Sequence, residues 1–557
     1  MKYITVTALV LSGIMQQAGA QTIGEARTLI YYQRYESAKA ALNSMIARGD
    51  NSADAAYWLG EIYMKQGQPD SAAQVFRKGL DYFAANNLSK KKYPLIHIGQ
   101  AHWLLDNGNR EEAQQMMESA LDASRYKDVD ALWAAARANI DSKNGDRNKA
   151  LELLNRAIGR DKNNPALYTA MGDAYRKFIN GSSAVENYMK AYAVDPHYAE
   201  AMYREGMVYK TQNNDAVFTD RFAKAVAMDS LYIPAIYELY LYYFYHDLGK
   251  AGQYLSAYIR HSDATVQHDY LTADYLYLNK KYTEAIGKAN ALIASEGDRV
   301  QPRLYKMIAY SKAALDDSAA AGQAMQKYFA LQLPEELVPQ DYDLMAALVA
   351  QNSGNPADAL EWYGRGLQQA KTPEERLRYM TSLAETQKDL RNYTSEADWR
   401  QKIYMEKKEP SNLDMYRWGV AVYMAKNYPM ADSLFALYSA KYPDQVYGHL
   451  WQARSRAAID TSMEQGLAVP HFQKLVEVAV KDSVANKYVL LEAYGYLGSY
   501  EANVTKDYPR ALQYFEKILQ VEPGNEQTVK YAELLRKWIG EGKGEPDAAT
   551  GEGTGGD

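Results

Sequence analysis

The amino-acid sequence predicts an all-α protein built from stacked pairs of antiparallel helices. The chain resembles itself at a period of about 34 residues, and apolar residues recur at helical spacing within each repeat. Small residues occupy the same two positions in most repeats. The chain has 557 residues, which is too long for one ordinary hydrophobic core but suits an array that grows by adding units.

The repeat is clearest between Pro165 and Tyr198. Its first helix carries core residues at i, i+3, i+4 and i+7, and its second helix continues the pattern: Tyr168, Met171, Gly172, Tyr175, then Ala184, Tyr188, Ala191, closed by Pro196. Two antiparallel helices joined by a short turn approach closely only where a side chain is nearly absent. Gly172 and Ala184 therefore predict the point where the two helices cross.

The same register recurs along the chain. Equivalent residues are Leu59, Gly60, Tyr63, Gly67, Ala72, Phe76, Gly206, Tyr209, Phe222, Ala225, Trp418, Gly419, Ala431, Phe435, Ala511 and Phe515. Less regular units, in which Ala285, Ala321 and Ala359 open second helices, bring the expected total to about fourteen helix pairs. The spacing stretches near residues 86–93 and between residues 459 and 503, which predicts longer connections there.

These motifs resemble the tetratricopeptide repeat family almost position by position. The resemblance implies a right-handed superhelical solenoid of antiparallel helix pairs, with the first helix of each pair lining a concave face. The family binds peptides and proteins on that face, so the resemblance also implies a non-enzymatic scaffold with a protein or peptide partner. Some members grip a C-terminal carboxylate with Lys and Asn, but Asp173 and Met207 stand at those positions here.

The resemblance also predicts which side chains face the groove. They are Tyr57, Tyr203, Tyr237 and Tyr416 at one repeat position and Arg176, Lys210, Phe244 and Tyr423 at another. The chain contains 49 tyrosines and only 10 phenylalanines. A ring with a polar tip is favoured at binding surfaces. The alternative is that these bulky residues pack against the neighbouring repeat.

The two ends of the chain differ from the repeats. Residues 1–20 combine Lys2, an apolar stretch from Ile4 to Met15 and a small-x-small sequence ending at Ala20, which predicts a cleaved signal peptide. We therefore expect a periplasmic or secreted protein with no transmembrane segment after cleavage. Weak breaks predict an N-terminal array over 21–261, a C-terminal array over 262–539 and a disordered tail over 540–557.

Composition argues against several classes of protein. Cysteine is absent, which excludes disulfides and thiolate metal sites, and the balance of 63 basic against 69 acidic residues disfavours a nucleic-acid binder. The eight histidines are scattered, and no HExxH, phosphate-binding loop or Gly-x-Ser-x-Gly motif occurs. We therefore expect no catalytic residue, no cofactor and no metal.

The resemblance and the predicted signal peptide together imply a non-enzymatic periplasmic scaffold that mediates protein–protein interactions. The tasks that the resemblance implies for a secreted member are outer-membrane assembly, protein secretion and the handling of envelope polymers, among which the sequence does not choose. One alternative is an envelope adaptor that binds carbohydrate or peptidoglycan by stacking sugars on exposed aromatic rings. Another is an enzyme with a carboxylate or histidine cluster in a cleft between Ile459 and Asn503.

Overall fold

A computed structural model describes residues 22–50 and 52–543. The chain forms two compact units, unit 1 ending at Val300 and unit 2 beginning at Gln301. The predicted signal peptide and most of the predicted tail lie outside the described residues. The division of the array predicted at residue 262 stays a prediction.

Unit 1 contains sixteen of the described α-helices. They are α1 Ile23–Tyr31, α2 Tyr35–Arg48, α3 Ser52–Lys65, α4 Pro69–Ala85, α5 Leu95–Asp106, α6 Arg110–Ala123, α7 Val129–Asp141, α8 Arg147–Arg160, α9 Pro165–Lys177, α10 Gly181–Val194, α11 Ala199–Thr211, α12 Asp215–Met228, α13 Ile233–His246, α14 Leu248–His261, α15 Val266–Leu278 and α16 Tyr282–Glu296. A 3₁₀ turn at Gly297–Arg299 follows.

Unit 2 contains thirteen more. They are α17 Arg303–Ala314, α18 Ser318–Leu331, α19 Pro339–Ser353, α20 Ala359–Gln369, α21 Pro373–Asp389, α22 Tyr393–Glu406, α23 Asn412–Met424, α24 Tyr428–Lys441, α25 Val446–Ile459, α26 Val469–Ala479, α27 Lys487–Tyr500, α28 Tyr508–Val521 and α29 Glu526–Gly540. Short 3₁₀ turns lie at Pro334–Glu336, Pro356–Asp358 and Val480–Asp482, and a π-helical turn lies at Glu501–Thr505.

Short capped turns make consecutive helices antiparallel. After α9 the chain reverses at Ile179, whose φ is +60°, and the Asn180 side chain then accepts a hydrogen bond from the Ser183 amide at 3.1 Å. Asn and Asp are favoured at such caps because they satisfy amides that have no partner inside the helix. The same arrangement, a residue with positive φ followed by a cap, recurs at Asn213 and Asn214.

The helices of a pair cross at the small residues predicted from the sequence. A Cβ atom at Gly172 would lie 2.3 Å from Cε1 of Tyr188, whose side chain is fully buried. Gly206 stands in the same relation to Phe222, with a distance of 2.6 Å. The aromatic ring of the second helix thus fills the space left by the missing side chain of the first.

This contact gives a stability prediction. Gly172→Ala should lower the free energy of unfolding by about 1–3 kcal/mol, because the Tyr188 ring cannot move without disturbing a close-packed interior. Gly159 is the matched control, since it is exposed in α8 and an added Cβ meets nothing within 4 Å. Gly159→Ala should stabilise the protein by about 0.5–1 kcal/mol through helix propensity. Urea unfolding followed by circular dichroism measures both, and equal effects would refute the crossing-point explanation.

The predicted fold class is confirmed. The 29 described helices form fourteen consecutive pairs followed by α29, and the described residues contain no β-strand. Longer connections occur at residues 86–94 and 460–468, which overlap the two stretches where the repeat spacing lengthens. Over residues 22–50 and 52–543, no helix combines the length and apolar character needed to cross a bilayer.

Candidate functional site

The first helices of the pairs in unit 1 surround a narrow concave surface, here called the groove. Residues of the first repeat reach across it to repeats six and seven. The ring centroid of Tyr31 lies 5.8 Å from that of Tyr198 and 5.0 Å from that of Tyr232. The Tyr32 hydroxyl donates a hydrogen bond to Asp229 at 2.9 Å. The first repeat therefore covers the groove.

One carboxylate holds the first repeat in this position. Helix α2 receives no side-chain cap from its own N-cap residue, Arg34. Instead, Asp263 accepts hydrogen bonds from the Ser37 amide at 2.9 Å, the Ser37 hydroxyl at 2.5 Å and Nε of Arg34 at 3.2 Å. The side chain of Asp263 is only 10% exposed. We call Arg34, Ser37 and Asp263 the latch, because they join the first repeat to the segment that follows α14.

The floor of the groove carries a network of paired charges. Arg137 donates to Asp173 at 2.6 Å and to Asp141 at 2.6 Å. Arg204 donates to Glu200 at 2.8 Å and lies 3.5 Å from Asp173. The network links α7, α9 and α11, so it fixes the spacing of three successive repeats.

The network stays ionised because its members compensate for burial. Burial alone would raise the pKa of Asp173, but Arg204 and Arg137 bring that pKa below its usual range. Burial also opposes ionisation of Asp141, and Arg137 and Lys65 again lower the pKa of the carboxyl. The groove floor is therefore charged at neutral pH.

Asp54, at the start of α3, is not compensated in this way. Burial, and then the charges of Asp128 and Asp130, raise the pKa of Asp54 to about 6. The carboxyl is therefore protonated more readily in the folded protein than in the unfolded chain, where its pKa is about 3.9. Ionising this carboxyl in the folded protein costs free energy. The free energy of unfolding therefore falls as pH rises through the folded-state pKa of Asp54.

Asp54→Asn should accordingly stabilise the protein at pH 8 by about 1–3 kcal/mol and have little effect at pH 4. Urea unfolding at the two pH values measures the difference. Asp81→Asn, on the exposed side of α4, should change neither value. Equal stabilisation by Asp54→Asn at both pH values would show that shape rather than charge is responsible.

The structure buries one predicted groove residue, Tyr57, and half-buries two others, Tyr203 and Tyr237. Tyr57 is 2% exposed and belongs to the core, although it still borders a small cavity beside Trp58 and Ile30. Tyr203 is half-buried against Tyr232 at 5.6 Å. Tyr237 is half-buried against Tyr258 at 5.0 Å and lines a cavity of about 310 Å³.

At the second predicted repeat position in unit 1, two of the three side chains contact other side chains. Lys210 forms an ion pair with Glu238, and the ring of Phe244 packs 5.6 Å from that of Tyr240. Arg176 is half-buried and has no ion pair within 4 Å among the described residues. A binding role for any of these positions stays a prediction.

In unit 2 the predicted residues Tyr416 and Tyr423 come together around a tryptophan. The indole of Trp451 donates to the Tyr416 hydroxyl at 3.2 Å, and the Tyr423 ring lies 5.0 Å from the Trp451 ring. Tyr447, one turn earlier on α25, lies 6.0 Å from the Tyr416 ring and is 54% exposed.

A charged pair extends this cluster to the next repeat. Arg454 stacks 4.7 Å from the centre of the Trp451 ring and makes two hydrogen bonds, at 2.7 and 2.6 Å, to Glu492 on α27. Tyr488 lies one turn before Glu492 and is 81% exposed. We call Tyr416, Tyr423, Tyr447, Trp451 and Tyr488 the tyrosine face; it follows the first helices of three successive repeats.

Sequence reasoning missed several residues of the two surfaces. In the groove they are Trp58, Lys65 and Trp133, which line a cavity of about 170 Å³, and on the tyrosine face they are Tyr447, Trp451 and Tyr488. Tyr447, Trp451 and Arg454 follow helical spacing of i, i+4 and i+7, so the pattern could have revealed them. Lys65 gave no signal, since it is one of many lysines on amphipathic helices.

The described residues contain no group of three or more His, Asp or Glu side chains arranged to hold a metal. In the segment where a hidden enzyme site was the alternative, burial lowers the pKa of His471. The nearby carboxylate of Asp432 is paired with Arg456 at 2.6 Å.

Stacked helix pairs that cross at small residues define a helical-repeat interaction scaffold. Residues 23–87 and 98–165 match the tetratricopeptide repeat family model. The chain therefore contains tetratricopeptide repeats in unit 1. No curated protein matches it.

Solved structures of this type are similar to parts of the chain. The C-terminal part of a repeat protein from Cytophaga hutchinsonii is 25% identical over 47% of this chain and 98% of its own, with a TM-score of 0.34. A tetratricopeptide repeat protein from Parabacteroides merdae is 14% identical over 51% of this chain and 96% of its own, with a TM-score of 0.22. YrrB, described as having an unusual peptide-binding site, is 17% identical over 36% of this chain and 97% of its own, with a TM-score of 0.22.

Proposed function

We propose that this protein is a non-catalytic scaffold of the cell envelope that binds a protein partner through the tyrosine face of unit 2. The setting we propose is outer-membrane assembly or protein secretion, in the periplasm or outside the cell. The sequence of residues 1–20 supports that location, and the tyrosine face supports the mode of binding.

The observation that carries the proposal is the exposure of large rings beside a rigid support. Tyr447 and Tyr488 are 54% and 81% exposed. Trp451 and the Arg454–Glu492 pair hold the surface beneath them in place. Protein interfaces are enriched in Tyr, Trp and Arg, and a preorganised ring loses little conformational entropy when it binds.

The test is crosslinking and recovery from the native cell envelope, comparing wild type with Tyr447→Ala/Tyr488→Ala. Wild type should recover a defined protein, which after purification should bind the wild-type chain saturably. The double variant should weaken that binding at least tenfold, since truncation of an interface anchor costs about 2 kcal/mol or more. Tyr531→Ala is the matched control, because Tyr531 is a 46% exposed tyrosine on α29.

Other outcomes point elsewhere. Equal binding by wild type and the double variant would show that the partner uses another surface. Recovery of a polysaccharide rather than a protein would favour the carbohydrate or peptidoglycan adaptor, whose sugars would stack on the same rings. Cytoplasmic recovery of the full-length, uncleaved chain would contradict the proposed location.

A further inference from the structure

The tyrosine face of unit 2 combines aromatic surface with hydroxyl groups that point to solvent. The Tyr416 hydroxyl accepts a hydrogen bond from the Trp451 indole at 3.2 Å, which leaves its own hydrogen available to a partner. Tyr447 and Tyr488 are the two most exposed rings, and their hydroxyls bond to no group within the described part of the chain. The face therefore offers a partner ring surface and hydrogen-bond donors together.

The charged groups beside these rings are already paired with each other. Both carboxylate oxygens of Glu492 accept from Arg454, at 2.7 and 2.6 Å, and Arg454 stacks 4.7 Å from the centre of the Trp451 ring. The two charges neutralise each other, so the pair attracts neither an anionic nor a cationic partner. Because Glu492 is committed as an acceptor, the complementary segment is an uncharged one that presents carbonyl oxygens rather than N–H groups.

The backbone conformation of such a segment follows from its hydrogen bonds. An α-helix uses its carbonyl groups internally, so it has few to offer to tyrosine hydroxyls. An added β-strand needs the edge of a sheet, and the described residues contain no strand. A polyproline II segment makes no internal hydrogen bonds, and each of its prolines lacks an N–H. It therefore presents carbonyl acceptors almost alone, in a conformation that is largely formed before binding.

The positions of the rings suit the repeat of this conformation. The face follows α23, α25 and α27, which are joined by the contact of Tyr416 with Trp451 and by the pair of Arg454 with Glu492. Helices that pack side by side have axes about 8–10 Å apart. A polyproline II segment completes one turn in three residues, which is about 9 Å. Prolines at i and i+3 of a segment that crosses the helices can thus meet rings of successive repeats.

We propose that the tyrosine face binds a proline-rich segment of the partner in the polyproline II conformation. Prolines at i and i+3 pack on the exposed tyrosine rings, and the carbonyl groups between them accept hydrogen bonds from the tyrosine hydroxyls. This inference rests on the proposed function, because it names the kind of segment by which the tyrosine face recognises its protein partner.

Fluorescence anisotropy with the full chain and labelled decaproline tests the proposal. Decaproline should bind at least tenfold more tightly than a ten-residue peptide of alternating Gly and Ser, which is uncharged but flexible. Tyr447→Ala/Tyr488→Ala should reduce affinity for decaproline at least tenfold. Tyr447→Phe/Tyr488→Phe keeps the rings and removes the hydroxyls, so it should cost about two- to tenfold. Tyr531→Ala, at the exposed tyrosine on α29, should change nothing.

Equal affinities for decaproline and the Gly-Ser peptide would overturn the proposal, and this comparison uses wild type alone. Unchanged binding of decaproline by Tyr447→Ala/Tyr488→Ala would also overturn it. So would tighter binding of an alanine-rich helical peptide or of chitohexaose, which would assign the rings to a helix or to a saccharide. If the purified envelope partner binds through Tyr447 and Tyr488 while decaproline does not bind, this inference fails and the proposed function stands. If neither binds, both fail.

Discussion

Arg137→Met should lower the free energy of unfolding by about 3–5 kcal/mol, the usual cost of removing one partner from a buried ion pair. Arg137 is 14% exposed and holds both Asp141 and Asp173, the latter 9% exposed. Methionine fills much of the same volume but leaves Asp141 without its closest counter-charge. Arg204 would remain near Asp173, so the loss falls mainly on the contact between α7 and α9. Urea unfolding followed by circular dichroism measures the change.

The same substitution should alter the response to acid. Because Arg137 helps to lower the pKa of Asp141 and Asp173, the network adds stability above the unfolded carboxyl pKa of about 3.9. That contribution is lost as pH falls through the lower, folded-state pKa values. Without Arg137 these pKa values rise, so acid unfolding should begin at a higher pH. An acid titration by circular dichroism compares the two proteins directly.

Arg156→Met is the matched control for Arg137→Met. Arg156 forms an i, i+4 pair with Glu152 on α8, and both side chains are nearly half-exposed. Exposed pairs contribute about 0–1 kcal/mol, so this variant should unfold almost as wild type does. Similar losses in the two variants would mean that burial of the network does not determine its contribution.

The fold could be predicted because its rules are local and repeated. Gly172 with Tyr188 and Gly206 with Phe222 are separated by the same number of residues, and each pair specifies one helix crossing. Where the pattern of one repeat is ambiguous, the clear repeats on either side still give its register. The register of the whole array can therefore be predicted from short-range sequence. The turns between helices are likewise specified by local sequence, since Asn180 and Asn214 each cap the helix that follows them.

The surfaces could not be predicted as well, because they depend on contacts between distant repeats. Repeat position alone placed Tyr57 in the groove, but the structure buries its side chain in the core. Nothing near Asp263 in the sequence indicates that it caps a helix that begins 228 residues earlier, at Tyr35. Tyr416 and Tyr423, which the sequence named, contact Trp451 of the next repeat, and their binding role stays a prediction.

The latch gives the second large effect. Asp263→Ala should destabilise the first repeat by about 2–3 kcal/mol, because it removes charge-assisted hydrogen bonds to Ser37 and Arg34 and leaves the α2 amides without a cap. Hydrogen exchange followed by mass spectrometry should show faster exchange in α1 and α2. Exchange in α9 and α10 should stay as slow as in wild type, because their pairing is independent of the latch.

Asp247→Ala is the matched control for Asp263→Ala, because it removes a helix cap without breaking the latch. Asp247 caps α14 locally, by accepting from the Lys250 amide at 3.0 Å, so its loss should cost about 1 kcal/mol and affect α14 alone. Unchanged exchange in α1 of Asp263→Ala would mean that the contacts of Tyr31 with Tyr198 and Tyr232 suffice to close the groove. If exchange in α1 does rise, the groove cavity of about 170 Å³ should also become more accessible, because Ile30 and Tyr31 of α1 are part of its lining.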